Sequence, residues 1–184
     1  WYGRPDLRDA PEWQTARYST TVGGYERMTL SDGSVVELNA STAIRVHFTP
    51  AERRVQLIRG EAHFTVAKNK ARAFWVDAGT VSVRAVGTAF DVRMDDHAVH
   101  VLVTEGRVKV DHGKKETPML SAGERAVIPF AETLLPQVSK LDFPAIQEEL
   151  SWEGPRLVFV DQPLAEVVKE FNRHNQVQIE LAEA

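Results

Sequence analysis

Residues 81–94 read VSVRAVGTAFDVRM. Ahead of Gly87 the apolar side chains fall on odd numbers, Val81, Val83 and Ala85; behind it they fall on even numbers, Phe90, Val92 and Met94. A strand turns alternate residues to opposite faces, so this change of parity inverts the core face unless the chain bends or bulges. Glycine takes such a bend without steric penalty. The same event occurs on both sides. Val55 and Leu57 give way across Gly60 to Ala62, Phe64 and Val66; Val99, Val101 and Val103 give way across Gly106 to Val108 and Val110. Three strand–glycine–strand units, bent at Gly60, Gly87 and Gly106, call for a mainly β structure of bent or hairpinned strands.

The flanking segments extend the pattern. Residues 25–38 form a hairpin around Ser31-Asp32-Gly33-Ser34, whose Asp-Gly pair is a turn signal. A short strand over 43–48 stops at Thr49-Pro50, residues 74–76 lead into Ala78-Gly79-Thr80, Asp95-Asp96 is a turn, and 119–129 give a last strand pair around Gly123. Residues 1–24 are a lead-in that adds an edge strand around 16–22. Short strands at this spacing fit a sandwich, a barrel or a short β-helix. Gly33, Gly60 and Gly87 are 27 residues apart, which keeps a coil-like repeat open, although Gly106 and Gly123 break the interval. The all-β domain is placed at 25–137.

Pro136 and Pro144 bracket a linker, assigned to 138–154, with a short helix over 145–150. Residues 155–184 read as strand–helix–strand. Pro163 stands where a first helical residue belongs, and Leu164, Val167, Val168 and Phe171 follow at the spacing of an amphipathic face. Val177, Ile179 and Leu181 alternate as a strand. A unit this small cannot bury a core alone. The edge formed by Leu157, Val158, Phe159 and Val160 is either closed by the rest of the protein or open to strand addition by a partner.

The 184 residues are 43% apolar and 26% charged, with a net charge of −4 and no Cys. These values describe an ordinary globular chain with no general drive towards nucleic acid or anionic membrane. They also exclude disulfides, thiolate nucleophiles and cysteine metal sites. No apolar run approaches the roughly 18 residues that span a bilayer, and with Trp1 in the place of an initiating Met a fragment or processed form is expected.

Asp95, Asp96, His97, His100 and His112 are the one group with metal-ligand character. His97 and His100 are three apart on an expected strand and so face opposite ways, whereas ligands must converge at about 2 Å. A solvated turn explains them better. His47 and His63 are expected at the surface or rim, and Arg53-Arg54 with Lys68 and Lys70 are solvated turns or, less simply, anion contacts. Carboxylates are plentiful, but no pair has a context for acid–base work, and no nucleophile elbow, P-loop or dinucleotide fingerprint is present. No catalytic, cofactor-binding or metal residues are therefore assigned, and no cofactor is expected.

YERMTLSDGSVVELNASTAIRV, RRVQLIRGEAHFTVAKNKARAFWVDAGTVSVRAVGTAFDVR and VHVLVTEGRVKV, in that order, resemble the FecR domain of bacterial transmembrane sigma-factor regulators. WEGPRLVFVDQPLAEVVKEFNRHN is similar to the short C-terminal module that follows it, of the secretin/TonB short N-terminal type, here ending after its second strand. The resemblance implies a FecR-type sandwich or short β-helix and a non-enzymatic periplasmic region of a single-pass inner-membrane protein. It implies an anti-sigma factor that takes a signal from the N-terminal signalling domain of an outer-membrane TonB-dependent transporter, often for an iron chelate. It further implies relay to an extracytoplasmic-function sigma factor through a cytoplasmic domain outside this chain, with a periplasmic protease taking part and no nucleic acid bound. On that basis Leu157, Val158, Phe159, Val160, Glu166, Lys169, Glu170 and Arg173 are the expected partner contacts. The alternatives are a β-sandwich that binds sugar or works as a metal-dependent enzyme through His97, His100 and His112, and a self-associating structural module.

Overall fold

The computed structural model describes residues 14–113, 119–131, 133–152, 163–165, 167, 168 and 179. Two compact units divide the chain, Trp1–Leu150 and Ser151–Ala184. The first contains β1 (Gln14–Ser19), β2 (Glu26–Thr29), β3 (Val35–Leu38), β4 (Ala43–Phe48), β5 (Arg53–Thr65), β6 (Phe74–Ala78) and β7 (Val81–Ala85). It continues with β8 (Ala89–Met94), β9 (Ala98–Glu105), β10 (Arg107–His112), β11 (Met119–Ser121), β12 (Glu124–Pro129), β13 (Gln137–Lys140) and the helix α1 (Phe143–Glu149).

Two layers face each other. The first runs β1-β4-β5-β6-β7-β10-β11 and the second β2-β3-β5-β8-β9-β12-β13. The 13-residue β5 belongs to both. Its first half pairs with β4 and β6, and its second half with β3 and β8. The strand changes layer at Gly60, where φ is 86°. A Cβ there would lie 2.7 Å from the Thr42 Cα, so the close approach of two backbones requires glycine. Thr42 is buried and locks the corner. Its hydroxyl accepts from the Glu61 N–H and donates to the Glu61 carbonyl, each at 3.0 Å.

The other two units behave alike. β7 pairs with β6 and β10, whereas β8 pairs with β5 and β9. The chain therefore crosses layers at Gly87 instead of folding back, and it does so again between β9 and β10 at Gly106. Residues with positive φ also stand where β3 leads to β4, at Ser41, and where β11 leads to β12, at Gly123. Parity is kept as the sequence requires: Val81, Val83, Ala85, Val99, Val101 and Val103 are buried before their bends, and Phe90, Val92, Val108 and Val110 after them. The units are corners, not hairpins.

A coil-like repeat is contradicted. A β-helix stacks parallel strands, but β5–β6 is the one parallel pair among the described strands. Gly33 lies in the β2–β3 hairpin turn and not at a corner. The architecture is a two-layer sandwich with a shared strand. Its core contains Phe48 and Phe74 from the first layer and Phe64 and Phe90 from the second. Phe64 meets Phe74 across the layers at 5.9 Å and stacks on Phe90 at 5.4 Å.

Arg53 departs from the expected solvated turn. It shares the odd parity of Val55 and Leu57 and is 0% exposed. Its guanidinium donates to the Arg72 carbonyl at 3.0 and 2.8 Å, to the Ala67 carbonyl at 3.0 Å and to Asp32 at 2.6 Å. It also lies over the Phe74 ring. Each of its three nitrogens has an acceptor, the condition under which a buried charge is tolerated. The β2–β3 turn is thereby tied to the base of β5. The lead-in contributes β1, paired with β4. Gln137–Lys140, within the stretch assigned mostly to linker, is β13, paired with β12. α1 begins two residues earlier than its apolar pattern indicates, capped by the Asp142 side chain, which accepts from the Ala145 N–H.

Candidate interaction site

The expected partner contacts Leu157, Val158, Phe159, Val160, Glu166, Lys169, Glu170 and Arg173 lie outside the described residues. Of the second unit, Leu164, Ala165, Val167 and Val168 are helical, and the Pro163 carbonyl accepts from the Val167 N–H at 3.2 Å. The helix thus opens at Pro163 as its sequence dictates. Leu164 is 64% exposed and is not a core residue.

The histidines do not converge. His97 precedes β9, His100 is on the outer face of the second layer, and His112 is buried at the end of β10 in the first. Among the described residues no three His, Asp or Glu side chains group as metal ligands. His63, expected at the rim, is buried on the second layer. Its Nδ1 lies 3.6 Å from Glu37 and its Nε2 3.3 Å from the Thr104 hydroxyl.

What the register does assemble is a charged cleft of about 210 Å³ on the outer face of the second layer. β5 supplies Glu61, β8 Asp91 and Arg93, β9 His100 and Leu102, β12 Arg125, and α1 Glu148 and Glu149. Cross-strand pairing places Glu61 opposite Arg93 and Arg93 opposite His100. Arg93 Nη2 lies 3.4 Å from His100 Nδ1, and because a guanidinium only donates, Nδ1 is the acceptor. His100 Nε2 then carries the proton donated to Asp95, 2.8 Å away. Asp95 also accepts from the His97 and Ala98 N–H groups, and these bonds, that of His97 foremost, hold its carboxyl down at about 2. Glu61 moves the other way. Burial raises its carboxyl against the opposing pull of the Asn39 amide, which donates to it at 2.5 Å.

The polar groups are largely held by one another: Arg125 pairs with Glu149, His100 donates to Asp95, and the Asn39 amide donates to Glu61. α1 buries none of its own residues; Leu150 at its C-cap is buried, and the Leu141 N–H donates to the Gly123 carbonyl at 2.8 Å. The cleft therefore works as a latch that holds α1 on the second layer. Sequence spacing conceals it, because its residues come from five elements. One trace is legible: the Asp95-Asp96 turn brings Arg93 opposite His100.

The model of the FecR protein family matches residues 16–109. That span runs from β1 into β10 and takes in all three glycine corners. A crystal structure of a candidate anti-sigma factor from Parabacteroides distasonis at 2.50 Å resolution is similar, with a TM-score of 0.69 at 27% identity, over 87% of this chain and 74% of that one. A second, at 1.65 Å, gives a TM-score of 0.68 at 28% identity, over 86% and 74%. No curated protein matches the chain.

Proposed function

The chain belongs to the FecR protein family, and from that premise we propose that it is the sensory region of an anti-sigma regulator. The observation that carries this reading is likeness over most of the chain to a candidate anti-sigma factor, at 27% identity and a TM-score of 0.69. The cleft agrees with a binding module, since Arg125 is paired with Glu149 and His100 is held by Asp95. In this reading the domain lies in the periplasm as part of a single-pass inner-membrane protein. It receives a signal from the N-terminal signalling domain of a TonB-dependent transporter, in iron-chelate uptake. It passes that signal to an extracytoplasmic-function sigma factor, with regulated proteolysis in between. The contact is assigned to Leu157, Val158, Phe159 and Val160, whose sequence pattern is that of a strand suited to strand addition, and to Glu166, Lys169, Glu170 and Arg173 of the expected helix.

The test is calorimetric titration of this chain with the signalling domain of a cognate TonB-dependent transporter. Saturable one-to-one heat, abolished by Phe159→Glu, is the expected result. Absence of heat together with unchanged NMR shifts overturns the proposal.

A further inference from the structure

The outer face of the first layer differs from the latched face of the second. Alternation on β5, β6, β7 and β10 buries Val55, Val76, Val83 and Val110 and turns the intervening residues outward. In-register pairing sets these side chains in rows across the strands. One row runs His47, Arg54, Trp75, Arg84, Lys109, and the next contains Arg17, Arg45, Gln56, Asp77, Ser82, Asp111. Trp75 sits between two guanidiniums, Arg54 at 5.3 Å and Arg84 at 5.6 Å. Arg17, Arg84 and Lys109 are exposed, and Arg45, Arg54 and Trp75 half-buried.

Two features of this face work against folding. Arg17 stands directly opposite Arg45, and Arg84 directly opposite Lys109. Like charges facing across strands are destabilising. Arg54 is answered by Asp77 and Glu52, and Lys109 by Asp111. Arg17, Arg45 and Arg84 have no carboxylate partner among the described residues. A chain of net charge −4 thus gathers uncompensated cations on one face, at a cost in stability.

We infer that this face, centred on Trp75 between Arg54 and Arg84, is a docking surface for an acidic polypeptide segment. Charge complementarity selects an anionic occupant. The stripe from β1 to β10 crosses six strands, about 24 Å at the usual interstrand spacing, too long for a single small anion. A lipid surface fits poorly: Asp77 and Asp111 stand among the cations, and a twisted sheet meets a flat membrane along a line. A polypeptide can follow the twist and set its carboxylates against Arg17, Arg45 and Arg84. Trp and Arg are also the residue types that dominate protein–protein binding energy. All of its residues belong to the first unit, Trp1–Leu150.

The experiment uses this chain, a fluorescein-labelled glutamate/leucine oligopeptide followed by anisotropy, and phosphatidylglycerol vesicles in a sedimentation assay. The peptide is expected to bind at low ionic strength and to weaken as salt rises. Arg84→Glu and Arg45→Glu are each expected to weaken it about tenfold. Both variants are expected to keep or raise the melting temperature, because each turns a like-charge pair into an opposite one. Equal binding by variants and wild type, or no binding by the wild type, overturns the proposal. A fall in melting temperature in both variants overturns it too, since the cations would then serve folding. Vesicle binding that Arg84→Glu abolishes reassigns the face to lipid.

Discussion

At Gly60 two difficulties of substitution coincide: a φ of 86° and the Thr42 Cα 2.7 Å from where a Cβ would lie. Strain of about 1–3 kcal/mol for the backbone and a similar figure for overpacking add, so Gly60→Ala is expected to cost about 3 kcal/mol or more by urea denaturation. Gly87→Val should destabilise in the same way, since its Cβ would meet Lys68 at 2.9 Å at a φ of 68°. Wild-type-like melting of either variant contradicts the corner assignment. Asp95 supplies a pH signature. Its carboxyl falls from 3.8 to about 2 on folding, so its contribution is present above 3.8 and is lost as pH drops through about 2. Asp95→Asn is expected to flatten the melting temperature across that interval, as read by scanning calorimetry. Glu61 has the opposite sign. Burial raises its carboxyl, so its share of stability is present in acid and is lost as pH rises through the folded value.

Among the elements, the turn between β2 and β3 and the base of β5 are held by one buried ion pair. Removing Asp32 leaves the Arg53 charge enclosed, and Asp32→Ala is expected to cost about 3–5 kcal/mol by chemical denaturation. A paired Asp32→Leu, Arg53→Met variant is expected to recover most of that loss. Elements were legible wherever alternation was strong. The hairpin over β2 and β3, the strand β4 and the parity changes at Gly60, Gly87 and Gly106 all follow from side-chain pattern. Arg53 was misplaced although its parity put it with Val55 and Leu57, because the charge argued for the surface and the pattern for the interior. Pattern won, since backbone carbonyls and Asp32 were available to satisfy the guanidinium. β13 left no trace because all four of its residues are exposed, so nothing in it alternates.

For the whole molecule, the outcome of each bend was not local. Gly87 permits either a fold-back or a crossing, and the choice depends on β5 and β10, remote in sequence from residues 81–94. The cleft was hidden for the same reason: Glu61, Arg93, Arg125 and Glu149 meet only once the strands are in order. Such non-local pairing predicts slow folding, in milliseconds to seconds by stopped-flow refolding; a microsecond phase carrying the full amplitude would contradict this topology. The corners at Ser41, Gly60, Gly87, Gly106 and Gly123 have one more consequence. Layers held only by a greasy core can shear past each other under load. Here peptide bonds stitch one plate to the other at seven places, these five and the links from β1 to β2 and from β5 to β6, so a tug on an outer strand such as β13 is borne by covalent rungs and arrives at the far plate as torque instead of slippage.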